Sequence, residues 1–182
     1  ITDGAGNPAN LAAAVANPAG TLQIDTTAPT VTLVTASPNI ADLKGGQVGS
    51  LAVAMDEVVN RLITGGTPTL TLNDGGTASY VSGTGTSALV FSYTVLAGQN
   101  TADLTVTAAS LNGGTITDLA GNAANLAGAV ANPAGTLQID TTAPTITLAV
   151  PIAGDNTINA SEAAAGFAIT GTTGGLEDGQ IA

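Results

Sequence analysis

Hydrophobic and polar positions alternate in short runs through the middle of the chain. In "TVTLVT" (Thr30–Thr35), Val31 and Leu33 fall on one face of an extended segment. In "SLAVAM" (Ser50–Met55), Leu51, Val53 and Met55 share one face, and Ala52 and Ala54 the other. Thr67–Leu72 and Thr77–Ser82 flank "NDGG" (Asn73–Gly76), a hairpin turn because Asn, Asp and Gly accept positive φ. Ser87–Val95 aligns Leu89, Phe91, Tyr93 and Val95, and Thr101–Ala108 and Thr136–Asp140 bring the count to about seven strands. Gly, Asn and Thr clusters separate them at the short intervals of an antiparallel sandwich. The exception is "ANLAGAVAN" (Ala124–Asn132), which has the Ala content for a short helical turn and reads as an insertion before the last strand.

A repeat sets the frame. Residues Ile1–Leu33 recur as Ile116–Leu148, differing only at Gly4/Leu119, Pro8/Ala123, Ala13/Gly128 and Val31/Ile146. A period of about 115 residues is too long for a solenoid unit and suits one whole β-sandwich. The repeated passage therefore reads as a join between tandem modules. On that reading residues 1–27 end one module, 28–142 form a complete one, and 143–182 begin another.

Composition narrows the chemistry. Of 182 residues, 44% are hydrophobic but only 2% aromatic, so the core is built from small side chains. Each removes little apolar surface, at roughly 25 cal/mol per Å², which leaves such a module in want of other support. Thirteen acidic residues face only Lys44 and Arg61, for a net charge of −11. That makes nucleic acid and anionic membrane surfaces poor partners, because neutralising phosphate needs Lys and Arg. With no Cys and no His, thiol chemistry, disulfides, most zinc sites and His-based acid–base catalysis are excluded too. Oxygen donors remain, and they are the ligands of hard cations such as Ca²⁺. No apolar run is long enough for a membrane span, and the first residues lack the basic end and apolar stretch of a secretion leader.

Tracing the strands up and down gathers scattered acids. If the module is entered at its top at Asp25, then Asp56 and Glu57 emerge at the same end, as do Asp118 and Asn122 of "DLAGN". The final strand delivers Asp140 to the bottom, which is the top of the next module, where Asp155 or Asn156 and Glu162 would meet it. Asp74, Asn100 and Asp103 sit in bottom loops that reach a joint from below. Six to eight oxygens at about 2.3–2.6 Å satisfy Ca²⁺, and such a gathering supplies several.

The stretches "IDTTAPTVTLV", "TPTLTLNDGGTASYVSGTGTSALVFSYTVLAGQNTADLTV", "LNGGTITDLAGNAANL" and "GTLQIDTTAP" occur in order across residues 28–142 and their flanks. They resemble the bacterial immunoglobulin-like repeats of giant biofilm-associated adhesins, which are exported by type I secretion and often end in RTX-type sequences. "GDNTINASEAAAGFAITGTTGGLEDGQIA" resembles the front of a second repeat type of the same adhesins. The resemblance implies an all-β fold: an immunoglobulin-like antiparallel β-sandwich repeated in tandem. It also implies an extracellular place at the bacterial cell surface, Ca²⁺ at module junctions, and a stalk or adhesive role. Members of that family commonly carry Phe-Ser-Glu where this chain has Met55-Asp56-Glu57, which favours Glu57 over Asp56 as a ligand. "ANLAGAVANPAG" is longer than the family's usual link.

Plainer readings stand beside these. Asp25 and Asp140, each followed by two Thr, make turns, and so does "AGN" around Asn122. Glu57 suits a solvated strand end, Asp74 a hairpin, and Asp103 a loop. Tyr80, Phe91, Tyr93 and Phe167 read as core or strand-face residues. "GTGTS" (Gly83–Ser87) lacks the Lys of a phosphate loop, and no pocket pattern supports an enzyme. The leading expectation is a structural module of a surface fibre whose joints are stiffened by calcium, its partners being neighbouring repeats in the same or adjacent chains. The alternatives are a glycan- or surface-binding module using exposed Thr rows (Thr67, Thr69, Thr71; Thr30, Thr32), or a head-to-tail filament assembled by strand exchange.

Overall fold

The computed structural model describes residues 1–12, 20, 22–62 and 65–175. Most of the Ala-rich run 11–16 and the last residues of the third unit, 176–182, lie outside these. The fold is all-β. Its strands are β1 (Val31–Ser37), β2 (Ile40–Leu43), β3 (Val48–Leu62), β4 (Thr69–Leu72), β5 (Thr77–Ser82), β6 (Thr86–Thr94), β7 (Val106–Ser110), β8 (Thr115–Thr117), β9 (Thr136–Ile139), β10 (Thr145–Leu148) and β11 (Gly171–Gly174). One short helix, α1 (Ala160–Ala165), lies between the last two.

A seven-stranded antiparallel sheet carries the order β1-β3-β6-β5-β4-β7, with β8 added along the far end of β3. β2 and β9 form a separate parallel pair, and β10 and β11 an antiparallel one. The expected alternation on β3 is observed: Leu51, Val53 and Met55 are buried, while Ala52 and Ala54 are half-buried on the opposite face. Leu89, Phe91, Tyr93 and Val95 are buried as anticipated. Leu43 from β2 and Leu137 and Ile139 from β9 join the same core cluster, so the small pair closes the inner face of the large sheet.

β1 departs from its pattern. Val31 pairs with Met55 but Leu33 pairs with Ala54, so a bulge intervenes and the two no longer share a face. Val34 becomes the buried residue and Leu33 is exposed. The strand expected at Thr101–Ala108 begins only at Val106, because Thr101 makes an isolated bridge to Ile139 and the chain bends after it. Tyr80 packs partly buried against Phe91, edge to face, whereas Phe167 is exposed outside the core.

The Ala124–Asn132 insertion is a single 3₁₀ turn, Ala127–Ala129, with Ala129 buried. It reaches both margins of the large sheet. Asn125 N–H donates to the carbonyl of Pro29 beside β1, and Val106 N–H of β7 donates to the carbonyl of Ala131. The sheet is curled enough for one segment to touch the first residues of both edge strands.

Candidate functional site

The site is built where β3 outruns its partner. Ala54 pairs with Ala88 and Val59 with Thr86, so β3 carries several more residues than β6 across this interval. The excess includes Asp56 and Glu57. Asp56 turns to β1: its Oδ1 accepts from Thr30 N–H (2.8 Å), its Oδ2 from the Thr30 hydroxyl (2.7 Å), and its own N–H donates to the Thr30 carbonyl (3.0 Å). The Thr30 hydroxyl and N–H hold the Asp56 carboxyl below its ordinary range. Glu57 is half-buried and in phase with Leu51, Val53 and Met55.

β8 places the next acid. Asn60 pairs with Thr117 in antiparallel register, which directs Asp118 back along β3 toward Glu57. The loop that follows closes on the Asp118 side chain. Its Oδ1 accepts from the N–H groups of Gly121 (2.7 Å) and Asn122 (2.8 Å), and its Oδ2 from Asn122 Nδ2 (2.7 Å). Burial, leaving Asp118 4% exposed, pushes its carboxyl up, but the hydrogen bonds from Asn122 and Gly121 outweigh this and hold it below the usual range. The first copy of the repeat folds the same loop in full exposure. There Asp3 accepts from Asn7 Nδ2, Asn7 N–H and Ala5 N–H. The Asp-x-x-x-Asn spacing thus encodes the loop locally, without tertiary help.

Asp25 arrives from the join. Its Oδ1 accepts Thr27 N–H (2.9 Å), the turn expected of Asp-Thr-Thr, and its carbonyl accepts Asn122 Nδ2 (3.2 Å). Carboxylate oxygens of Asp25, Glu57 and Asp118 all lie within 4.8 Å of one another. Removal from water, then the charges of Asp118, Asp25 and Asp56, push the Glu57 carboxyl above its ordinary range. Two oxygens on opposite sides of one Ca²⁺ are at most about 4.6–5.2 Å apart, so the gathering matches the span of that ion's shell. An ionised carboxylate offers about four acceptor sites, and Asp118 uses three of them on its own loop. The donor set is all oxygen and fits a hard cation. Asn122 acts as a buttress, its amide nitrogen tying Asp118 to the backbone of Asp25.

The remaining candidates lie elsewhere. Asp140 accepts Thr142 N–H in the same turn as Asp25 and lines a cavity with Asp42, Lys44 and Gln47. Asp155 accepts Thr157 N–H, and Glu162 forms a capping box with Asn159 at the start of α1. Among the described residues these three do not gather as Asp25, Glu57 and Asp118 do. Asp74 accepts from Gly76 N–H and the Tyr93 hydroxyl, and Asp103 from Asn132 Nδ2. Asn100 grips the residues after Asp140: its Oδ1 accepts Thr141 N–H (2.8 Å) and the hydroxyls of Thr141 and Thr142 (both 3.3 Å). Sequence reasoning missed the Thr30–Asp56 lock, which leaves no pattern, and the buttress role of Asn122, whose trace is the repeated Asp-x-x-x-Asn spacing.

The chain matches no protein-family model, no curated protein and no solved structure. Among the described residues no helix is long and apolar enough to cross a membrane.

Proposed function

We propose that this chain is a structural segment of an extracellular bacterial surface fibre or adhesin, built from immunoglobulin-like sandwiches whose joints bind calcium. The carrying observation is the convergence of Asp25, from the join, with Glu57 and Asp118, from two distant parts of the following sheet. A cation there would offset the loss of water and the neighbouring charges that together raise Glu57, and would fix the join to the sheet. The near-identical copies of the join support a tandem array, and the two-part core of the large sheet and the β2–β9 pair supports a sandwich reading. The role is mechanical rather than catalytic. A ligand that binds only the ordered joint stabilises it by about 2.7 kcal/mol at a hundredfold excess over Kd. Calorimetric titration and melting with Ca²⁺ or chelator test this. Heat of binding and a higher Tm that both vanish in Glu57→Gln are expected; identical curves in the two conditions sink the reading.

One observation favours a second reading, surface or glycan binding. The register runs Ser37–Ser50–Ser92–Ser79–Thr69–Ser110 in one continuous row across six strands. Thr71, Thr77 and Thr94 lie on the same face, and no outward residue of these strands carries a charge apart from the outrun end of β3. Hydroxyls on the solvated face of an antiparallel sheet are ordinary, so this reading stands second. Retention on immobilised polysaccharide that is lost in Ser79→Glu would promote it.

A further inference from the structure

The eleven residues Gly20–Thr30 and Gly135–Thr145 are identical, and each copy meets a different end of the 28–142 module. The first copy meets the upper end. There Asn122 Nδ2 binds the Asp25 carbonyl, and the Asp25 carboxylate gathers with Glu57 and Asp118. The second copy meets the lower end. There Asp140 N–H donates to the Leu43 carbonyl (3.0 Å), Thr141 N–H donates to Asn100 Oδ1, and Gly98 N–H donates to the Thr141 hydroxyl (3.0 Å).

Both copies make the same turn, Thr N–H to Asp Oδ1. Beyond that turn the two contact sets share no atom. The upper end uses the aspartate's carbonyl and carboxylate, and the lower end uses its N–H and the N–H and hydroxyl groups of the following threonines. A segment holding that turn leaves each set of atoms free for the other end. The concavities agree. Glu57, Val58 and Leu119 line a hollow with Asp25, and Asp42, Lys44 and Gln47 line another with the equivalent Asp140. Leu119 is 84% exposed and Leu96, beside the lower hollow's loops, 62%.

We infer that the two ends of the module are complementary halves of one contact, so that the partner fitting the Glu57–Asp118–Asn122 end is the Leu43–Asn100 end of a second copy of this module, with one Ile-Asp-Thr-Thr segment clamped between them. This rests on the tandem reading above and adds the partner of the acidic end and a clamp, Asn100, that needs no metal. Asn100 is a positioning residue: it fixes the direction in which the chain leaves β9.

The test extends the full chain with its own sequence, residues 1–142 followed by 28–182, so that one Asp140-Thr141-Thr142 segment serves both ends. Hydrogen exchange is followed at Thr141, against Thr141 and Thr26 of the 182-residue chain, in Ca²⁺ and in chelator. Sheet amides of both modules report folding. We expect the shared Thr141 to exchange about tenfold more slowly than either reference. Asn100→Ala in the lower copy or Asn122→Ala in the upper should each abolish the gain, and in the 182-residue chain those two substitutions act independently because they touch different copies. Exchange no slower than in the 182-residue chain, or a module that folds only when separate, overturns the inference. If the slowing persists with no effect of Ca²⁺, the metal reading fails and this one stands; if Ca²⁺ slows exchange at Asp25 but extension changes nothing, the reverse holds.

Discussion

Leu22 and Leu137 occupy the same position in the same eleven-residue passage, yet Leu22 is 88% exposed and Leu137 3%. Leu137 lies in β9 against β2 and joins the core; Leu22 has no such strand partner among the described residues. Leu137→Ala should therefore cost about 2–5 kcal/mol, the range for a buried leucine leaving a cavity. Leu22→Ala in the same chain should stay within about 0.5 kcal/mol. Urea melts of the two variants check this, and equal losses would mean that the first copy is packed after all.

A parallel contrast separates Asp3 from Asp118. Both close the same loop, but only Asp118 is buried and joined to β8 and to Asp25 through Asn122. Asp118→Ala should lower the melting temperature and speed exchange at Gly121 and Asn122. Asp3→Ala should loosen only its own loop and leave the melting temperature unchanged. The folded-state carboxyl of Asp118 lies below its unfolded value of 3.8, so its stabilising effect is complete above that value and fades as pH falls through the lower one.

Glu57 carries the opposite sign. Its folded carboxyl lies above the unfolded value of 4.5, so the folded state binds this proton more tightly. Without metal, its charge opposes folding above the raised value, and the opposition is relieved as pH falls through it. Glu57→Gln should thus stabilise the chelated protein at neutral pH and flatten the mildly acidic part of its stability profile. With Ca²⁺ the order reverses, because protonation then competes with the ion. Melting curves at pH 7 and in mild acid, with and without Ca²⁺, give the comparison.

At the opposite end, the buried Tyr93 hydroxyl donates to Asp74 and approaches Gln99 Oε1 (2.9 Å), which also accepts Leu96 N–H (2.6 Å). Burial, then the bond to Asp74, pushes the Tyr93 phenol far above its ordinary range. Tyr93→Phe keeps the ring in the core but leaves Asp74 and Gln99 without the hydroxyl. A loss of about 1–3 kcal/mol is expected, with faster exchange at Leu96. Because both loops flank the lower end, the substitution should also loosen Asn100.

Strand order along the chain carried much of this structure. Counting strands up and down brought Asp25, Glu57 and Asp118 to one end although it omitted β8, because β8 is only three residues long and turns back along the outrun of β3, leaving Asp118 near Glu57. It could not locate the bulge between Val31 and Leu33 or the outrun of β3 after Ala54, because the phase shifts there fall among adjacent apolar residues, Leu33-Val34 and Val58-Val59, that fit either phase. β2 and β8 are too short to show a period. The divergent fates of Asp56 and Glu57 rest on that outrun: one turns to Thr30, the other stays with the acids. Asp155 and Glu162 had local roles that spacing also permits, a turn and a helix cap.

The 3₁₀ turn that reaches from β1 to β7 has a consequence for crowding. Copies of nearly the same sequence strung on one chain would meet each other at very high effective concentration, and bare strand margins would zip neighbour to neighbour. Where that loop bridges to Thr30 and meets Val106 it occupies the start of each margin, which would leave a neighbouring copy less free edge to pair with there.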